Sequence, residues 1–257
     1  MEIFTHPDTW AALLTLTFLE VVLGIDNIIF ISITAGKLPE EKIKKATRIG
    51  LLLAMFFRIA LLLGISYIIS MKQVLYAVDM GWLQSKITGQ SLILFAGGIF
   101  LLYKSTHEIH QKVEGKVHDA KANTKKTGVS LASVLVQIVL IDLVFSFDSV
   151  LTAVGMTNGI EGALIIMIIA VVISVLIMMI FAVPVGNFVN RHPTIQMLAL
   201  SFLILIGFML ITESSHLSDT SILGQHVGAI PKGYLYFAIA FSIGVEALNM
   251  KIRKNMN

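Results

Sequence analysis

Apolar positions along this chain fall in long runs broken by short polar clusters, rather than at the alternating or helical period of a surface element. A helix rises about 1.5 Å per residue, so roughly 20 apolar residues cross a hydrocarbon layer of about 30 Å. Seven such runs are predicted, at about 10–35, 47–70, 87–104, 130–155, 162–184, 195–214 and 233–250. The fold class is therefore an all-α polytopic membrane protein, a single membrane domain over 1–257. One polar connection is long: 105–129 alternates acids and bases without an apolar core and reads as a solvated cytoplasmic loop.

Composition adds exclusions. Hydrophobic residues make up 56% and charged residues 14%, against about 45–50% and about 25% in soluble domains, and the mean hydropathy is +0.86. This is not the composition of a globular enzyme. With no cysteine, disulfides, Cys-ligated zinc and iron–sulfur clusters are excluded. The first ten residues hold Glu2 and Asp8 but no Lys or Arg, so the first run reads as a retained helix rather than a cleaved signal.

Charge gives orientation. Alternate connections and the tail carry fifteen Lys and Arg, from Lys37, Lys42, Lys44, Lys45 and Arg48 through to Lys251, Arg253 and Lys254, whereas the opposite side has only Lys72, Lys86 and Lys232. Positive residues stay cytoplasmic, which puts the N-terminus outside and the C-terminus inside. The formal +3 follows from that topology and is no nucleic-acid signal.

The runs also repeat. Laying Glu20–Phe30 over Asp142–Thr152 matches an acid to an acid and then Asp26-Asn27 to Asp148-Ser149, at the same spacing. Ile99–Leu102 matches Gly207–Leu210 more loosely. A unit of three helices repeated in tandem must be inverted the second time, an architecture of secondary transporters with midplane sites. The expected organisation is repeat one over 10–104, the loop 105–129, repeat two over 130–214 and a last helix at 233–250.

Six acids lie in the runs or at their ends, Glu20, Asp26, Asp142, Asp148, Glu213 and Glu246, with Arg58 the one base. A charge at the bilayer centre costs about 2.5–3.5 kcal/mol on insertion scales, so such a surplus of acids calls for cations, protons or water. On a straight helix Glu20 and Asn27 nearly eclipse, as do Asp142 and Ser149, while Glu20 and Asp26 stand about 120° apart. A break near Gly24 would bring both acids and free carbonyls to one place. Ser146 shares the face of Asp142, and Gln137 is a further oxygen donor. Glu213 and Glu246 are accessory positions nearer the run ends, and Arg58 either neutralises one acid or joins the site. This all-oxygen set suits Mg²⁺, Mn²⁺ or Ca²⁺ better than zinc or copper, and protons or Na⁺ fit the same acids.

Other features read as structure. His107-Glu108-Ile109-His110 lies on a helical extension with a solvated face and is not a zincin motif. Met178 and Met179 read as packing or lipid-facing residues, Gly97-Gly98 as close helix packing, and Trp10, Trp82, Tyr234 and Tyr236 as interface belts.

Together, Glu20…Gly24-Ile25-Asp26-Asn27, Asp142…Phe145-Ser146-Phe147-Asp148-Ser149-Val150, Arg191-His192-Pro193 and Phe241–Glu246 resemble the TerC family of bacterial integral membrane proteins. The resemblance covers nearly the whole chain. It implies a multi-helix inner-membrane protein that exports Mn²⁺, including metal supply to secreted enzymes, with Glu20, Asp26, Asn27, Asp142, Asp148 and Ser149 handling the ion. Asp142 is a shorter acid than the Glu20 it matches. Expected partners are the lipid bilayer and a divalent metal ion; secretion machinery, secreted metalloenzymes and copies of the same chain stay open. No tightly bound cofactor is expected, with Mn²⁺ as cargo. The competing readings are a membrane scaffold or insertion partner for secretory proteins with structural acids, and a proton- or Na⁺-coupled carrier of another solute. No nucleophile–base set or phosphate loop appears, so no enzyme is expected, an intramembrane aspartyl protease on Asp26 and Asp148 being the remotest reading.

Overall fold

Away from water, each backbone N–H and C=O in a membrane-crossing segment needs a partner within the protein, and a helix supplies it locally. The computed structural model describes residues 7–118, 130–157 and 159–256. In chain order these form α1 (Pro7–Ala35), α2 (Glu40–Leu63), α3 (Ile65–Ser70), β1 (Val74–Asp79), β2 (Leu83–Thr88), α4 (Gly89–His118), α5 (Leu131–Met156), α6 (Ala163–Arg191), α7 (Pro193–Leu217), β3 (Ser221–Ile222), β4 (Gln225–His226) and α8 (Lys232–Met256). Among the described residues seven helices, all but α3, are long and apolar enough to cross a membrane.

Three boundaries depart from expectation. The second run breaks at Gly64, whose N–H bonds back to Ala60 and closes α2 before α3 begins. The third continues as helix to His118, so the first part of the connection expected to loop over 105–129 is helical; 119–129 lie outside the described residues. Polar contacts one turn apart, the ion pair Lys104–Glu108 at 2.8 Å and His110 Nε2 with Glu114 at 3.2 Å, support a helix that lacks an apolar face. Between α3 and α4 stands a β-hairpin that the hydrophobic runs do not announce.

The chain divides into two compact units. The first comprises Met1–Ser70 and Thr127–Arg191, with α1, α2, α3, α5 and α6. Here α1 runs parallel to α6, with Gly24 opposite Met178, Ser32 opposite Gly186 and Gly36 opposite Asn190 in step. A Cβ on Gly24 would lie 2.2 Å from Met178 Sδ, and one on Gly186 2.8 Å from Ser32 Oγ. Small residues therefore set how close these backbones come. In the same way α2 runs parallel to α5, Gly50 facing Ile138 and Arg58 facing Ser146. Leu16, Leu51, Ile138, Val150, Ala170 and Val175 fill the interior, while Leu14, Phe18, Phe56, Leu63, Ile180 and Phe181 are all more than half exposed. An outward apolar face reverses the soluble pattern and suits hydrocarbon.

The second unit, Met71–Lys126 and His192–Asn257, holds α4, α7, α8 and the strands. α4 and α7 touch backbone to backbone: a Cβ on Gly98 would lie 2.7 Å from the Gly207 carbonyl, and one on Gly207 3.0 Å from the Gly98 carbonyl. Ser214 Oγ donates to the Ser91 carbonyl at 2.7 Å, joining the same two helices. The antiparallel sheet has the order β1-β2-β3-β4. Its first hairpin turns through Gly81 at φ +76°, whose N–H bonds to Asp79 Oδ1 at 3.1 Å. Since the clash at Gly98 is with main chain rather than with a flexible side chain, Gly98→Leu is expected to cost about 1–3 kcal/mol. A clear fall in the melting temperature in detergent would show it; an unchanged one would contradict the close contact.

Candidate functional site

α1 is helical without interruption from Pro7 to Ala35, so the break near Gly24 that would have joined Glu20 and Asp26 is absent. The glycine is used instead for the approach of Met178. An unbroken helix keeps Glu20 and Asn27 on one face, and both are buried, at 5% and 4% exposure. Asp26 is in the same helix, and its side chain lies outside the described ones. α5 starts at Ser130, whose Oγ accepts the Ser133 N–H at 3.1 Å, a favourable N-cap. From that start Asp142, Ser146 and Ser149 fall on one buried face, while Asp148 is half-buried beside it.

Arg58, on α2 and 3% exposed, joins these faces. Its Nη1 donates to Glu20 Oε2, its Nη2 to Asp142 Oδ1 at 3.0 Å and its Nε to Ser146 Oγ at 2.9 Å. The Ser146 hydroxyl donates to Asp142 Oδ2 at 3.0 Å, and Asn27 Nδ2 donates to Asp142 Oδ1 at 3.2 Å. One guanidinium thus bridges two carboxylates, leaving this group one formal negative charge. Buried ions are tolerated when paired and hydrogen-bonded, and the planar fork of arginine suits a site with acceptors on several sides.

Two features leave room at the cluster. Asn27 Oδ1 is buried with no hydrogen-bond partner among the described residues, an acceptor of the kind that normally finds a donor or a cation. Glu20 also borders a cavity of about 10 Å³ lined by Leu16, Leu62, Val150, Met167 and Val171, close to the smallest volume that holds one water.

The other expected positions are spread more widely. Ser149 bonds to the Ser146 carbonyl at 3.2 Å, and Asp148 stands one helical step from the cluster, its carbonyl accepting from Thr152 at 3.0 Å. Gln137 donates to Ser133 at 3.2 Å and makes no described bond to Arg58. Glu213 and Glu246 belong to the second unit, where Asn249 donates to Glu246 at 3.4 Å. His107 pairs with Gln111, and His110 with Glu114, on exposed positions. No three His, Asp or Glu side chains come together as a ready metal shell among the described residues, and Arg58 lies between Glu20 and Asp142. Sequence reasoning gave Arg58 at most one acid. That it takes two, with Ser146, was signalled only by its being the one base inside a run.

The family model described as "Integral membrane protein TerC family" matches residues 5–257. The chain is 45% identical over 253 residues to the UPF0053 inner membrane protein YgdQ of Escherichia coli (strain K12), covering 98% of this chain and 97% of that one. It is 44% identical over 255 residues to a UPF0053 protein of Haemophilus influenzae, covering 99% of both. The same identity over 255 residues extends to the longer UPF0053 inner membrane protein YoaE of E. coli (strain K12), of which this chain matches 45%. No solved structure matches the chain. A match that runs nearly end to end, together with seven apolar helices, settles the family: this chain belongs to the TerC family of integral membrane proteins.

Proposed function

We propose that the protein is a secondary carrier that moves Mn²⁺, or a similar hard divalent cation, out of the cytoplasm through an acidic site between inverted three-helix repeats. The observation that carries this reading is the Glu20–Arg58–Asp142 cluster, buried in helices long enough to cross a membrane and flanked by the unpartnered oxygen of Asn27. Asp26 and Asp148 would be direct ligands, Glu20 and Asp142 ligands or proton carriers, and Asn27 and Ser149 neutral oxygen ligands. Oxygen donors of this kind favour hard divalent ions, and competition between proton and metal for carboxylates makes proton-coupled export a natural mechanism.

The helix pairing supports the repeat. Exchanging α1 with α5 and α2 with α6 maps the pair α1·α6 onto α5·α2, and both pairs are parallel and close. Under the same exchange Gly24 falls on Ser146, so the contact of Gly24 with Met178 corresponds to that of Ser146 with Arg58. The second repeat therefore carries a thioether where the first carries a cation. Location in a bacterial inner membrane is supported by the names of YgdQ and YoaE, and an outside N-terminus by the distribution of Lys and Arg.

Purified protein in sealed liposomes containing a Mn²⁺-sensitive dye tests this reading. Dye quenching on external Mn²⁺, above that of protein-free liposomes and competed by other hard divalent ions, is expected. Flux equal to the protein-free control would leave the membrane scaffold, with its acids structural, as the better reading.

A further inference from the structure

Between Glu20 and Asp142 the protein already holds a cation of its own. Arg58 reaches both carboxylates and Ser146 from one fully buried guanidinium, and the corresponding position of the other repeat, Met178, has no charge. The pair is thus half compensated without any visitor. A divalent ion that takes oxygen from Glu20 and Asp142 must occupy the space of the guanidinium. Two cations on those carboxylates compete, since like charges a few ångströms apart in a poorly screened interior repel strongly. Asn27 makes the alternative concrete: its amide nitrogen is on Asp142 and its buried oxygen has no partner among the described residues, so a neutral donor oxygen already lies beside the carboxylate that Arg58 would release.

We infer that Arg58 is a resident surrogate for the cargo: it offsets one of the two charges of Glu20 and Asp142 while the carrier is empty, and a divalent cation binds there by displacing it. This rests on the carrier reading and adds to it a reason why the empty site can lie buried in a membrane. Arg58 then sets affinity and turnover together. Its competition weakens ion binding, and its return expels the ion and restores the empty form. A positioning residue of this kind has a signature that a structural ion pair lacks, because its removal tightens binding while slowing transport.

The test is equilibrium binding of Mn²⁺ to the purified full chain, read at fixed pH from the free-ion paramagnetic resonance signal, alongside liposome flux. Arg58→Gln is expected to bind Mn²⁺ at least about tenfold more tightly than the unmodified protein, with slower flux at saturating ion. Arg58→Lys keeps the charge but cannot span two carboxylates and a hydroxyl; it is expected to show a smaller gain in affinity, and it decides the matter if the Gln variant does not fold. Unchanged or weaker binding in the folded variants would overturn the inference and leave the carrier reading standing. An unmodified protein that binds no Mn²⁺ would remove both.

Discussion

The double variant Glu20→Gln, Asp142→Asn is expected to lose about 3–5 kcal/mol of stability, the usual consequence of stranding one partner of a buried ion pair. Arg58 would keep its charge, since a guanidinium does not deprotonate in proteins, and would face amides in a site with 3% exposure. The opposite deletion is milder, because carboxyl groups left without Arg58 can take up a proton or a metal ion. Adding Arg58→Met to the double variant removes the stranded charge and is expected to recover most of the loss, as apolar replacements of buried ionic groups often do. Thermal unfolding in detergent would follow the series. If the double variant melts with the unmodified protein, the cluster is not the buried ionic centre described here.

The variant Asp26→Asn, Asp148→Asn is expected to reduce Mn²⁺ flux by roughly 100-fold or more. Loss of even an outer-shell partner commonly costs 10–100-fold in metal affinity or activity, and here two proposed direct ligands would lose their charge. The exchange preserves shape and removes charge from membrane-spanning helices, so the folded yield is expected to hold. Flux close to that of the unmodified protein, from a variant folded equally well, would remove Asp26 and Asp148 from the cation path. These two predictions read different properties of the acids: the first the ionic centre that Glu20 and Asp142 form with Arg58, the second the proposed ligand role of Asp26 and Asp148.

Much of this architecture is legible in residue order because a bilayer punishes exposed backbone and charge so strongly. Length and hydropathy alone yield seven crossing helices, and the acid at equal spacing in Glu20–Asn27 and Asp142–Ser149 points to a related pair of segments before any coordinates. Helix geometry also anticipates that Glu20 and Asn27 share a face, and Asp142, Ser146 and Ser149 another, as they do. The errors have a common origin. A break near Gly24 would place Glu20 and Asp26 together, yet a glycine serves equally to admit a neighbour, and Met178 is that neighbour. Such a contact depends on which helices lie side by side, and no local pattern carries that. The same holds for Arg58, whose second carboxylate comes from α5, far along the chain. The extension through His107–His110 is legible, but its full length to His118 and the hairpin around Gly81 are not, because both lie where hydrophobic runs end and pairwise polar contacts take over.

The most direct measurement is anomalous scattering from Mn²⁺ in crystals of the full chain. A divalent-cation carrier of the kind proposed requires a peak between α1 and α5, coordinated at short range by oxygens from the set Glu20, Asp26, Asn27, Asp142, Asp148 and Ser149, with Arg58 drawn away from Glu20 or Asp142. No peak at saturating Mn²⁺, or one confined to the exposed His107 and His110 face, would contradict it.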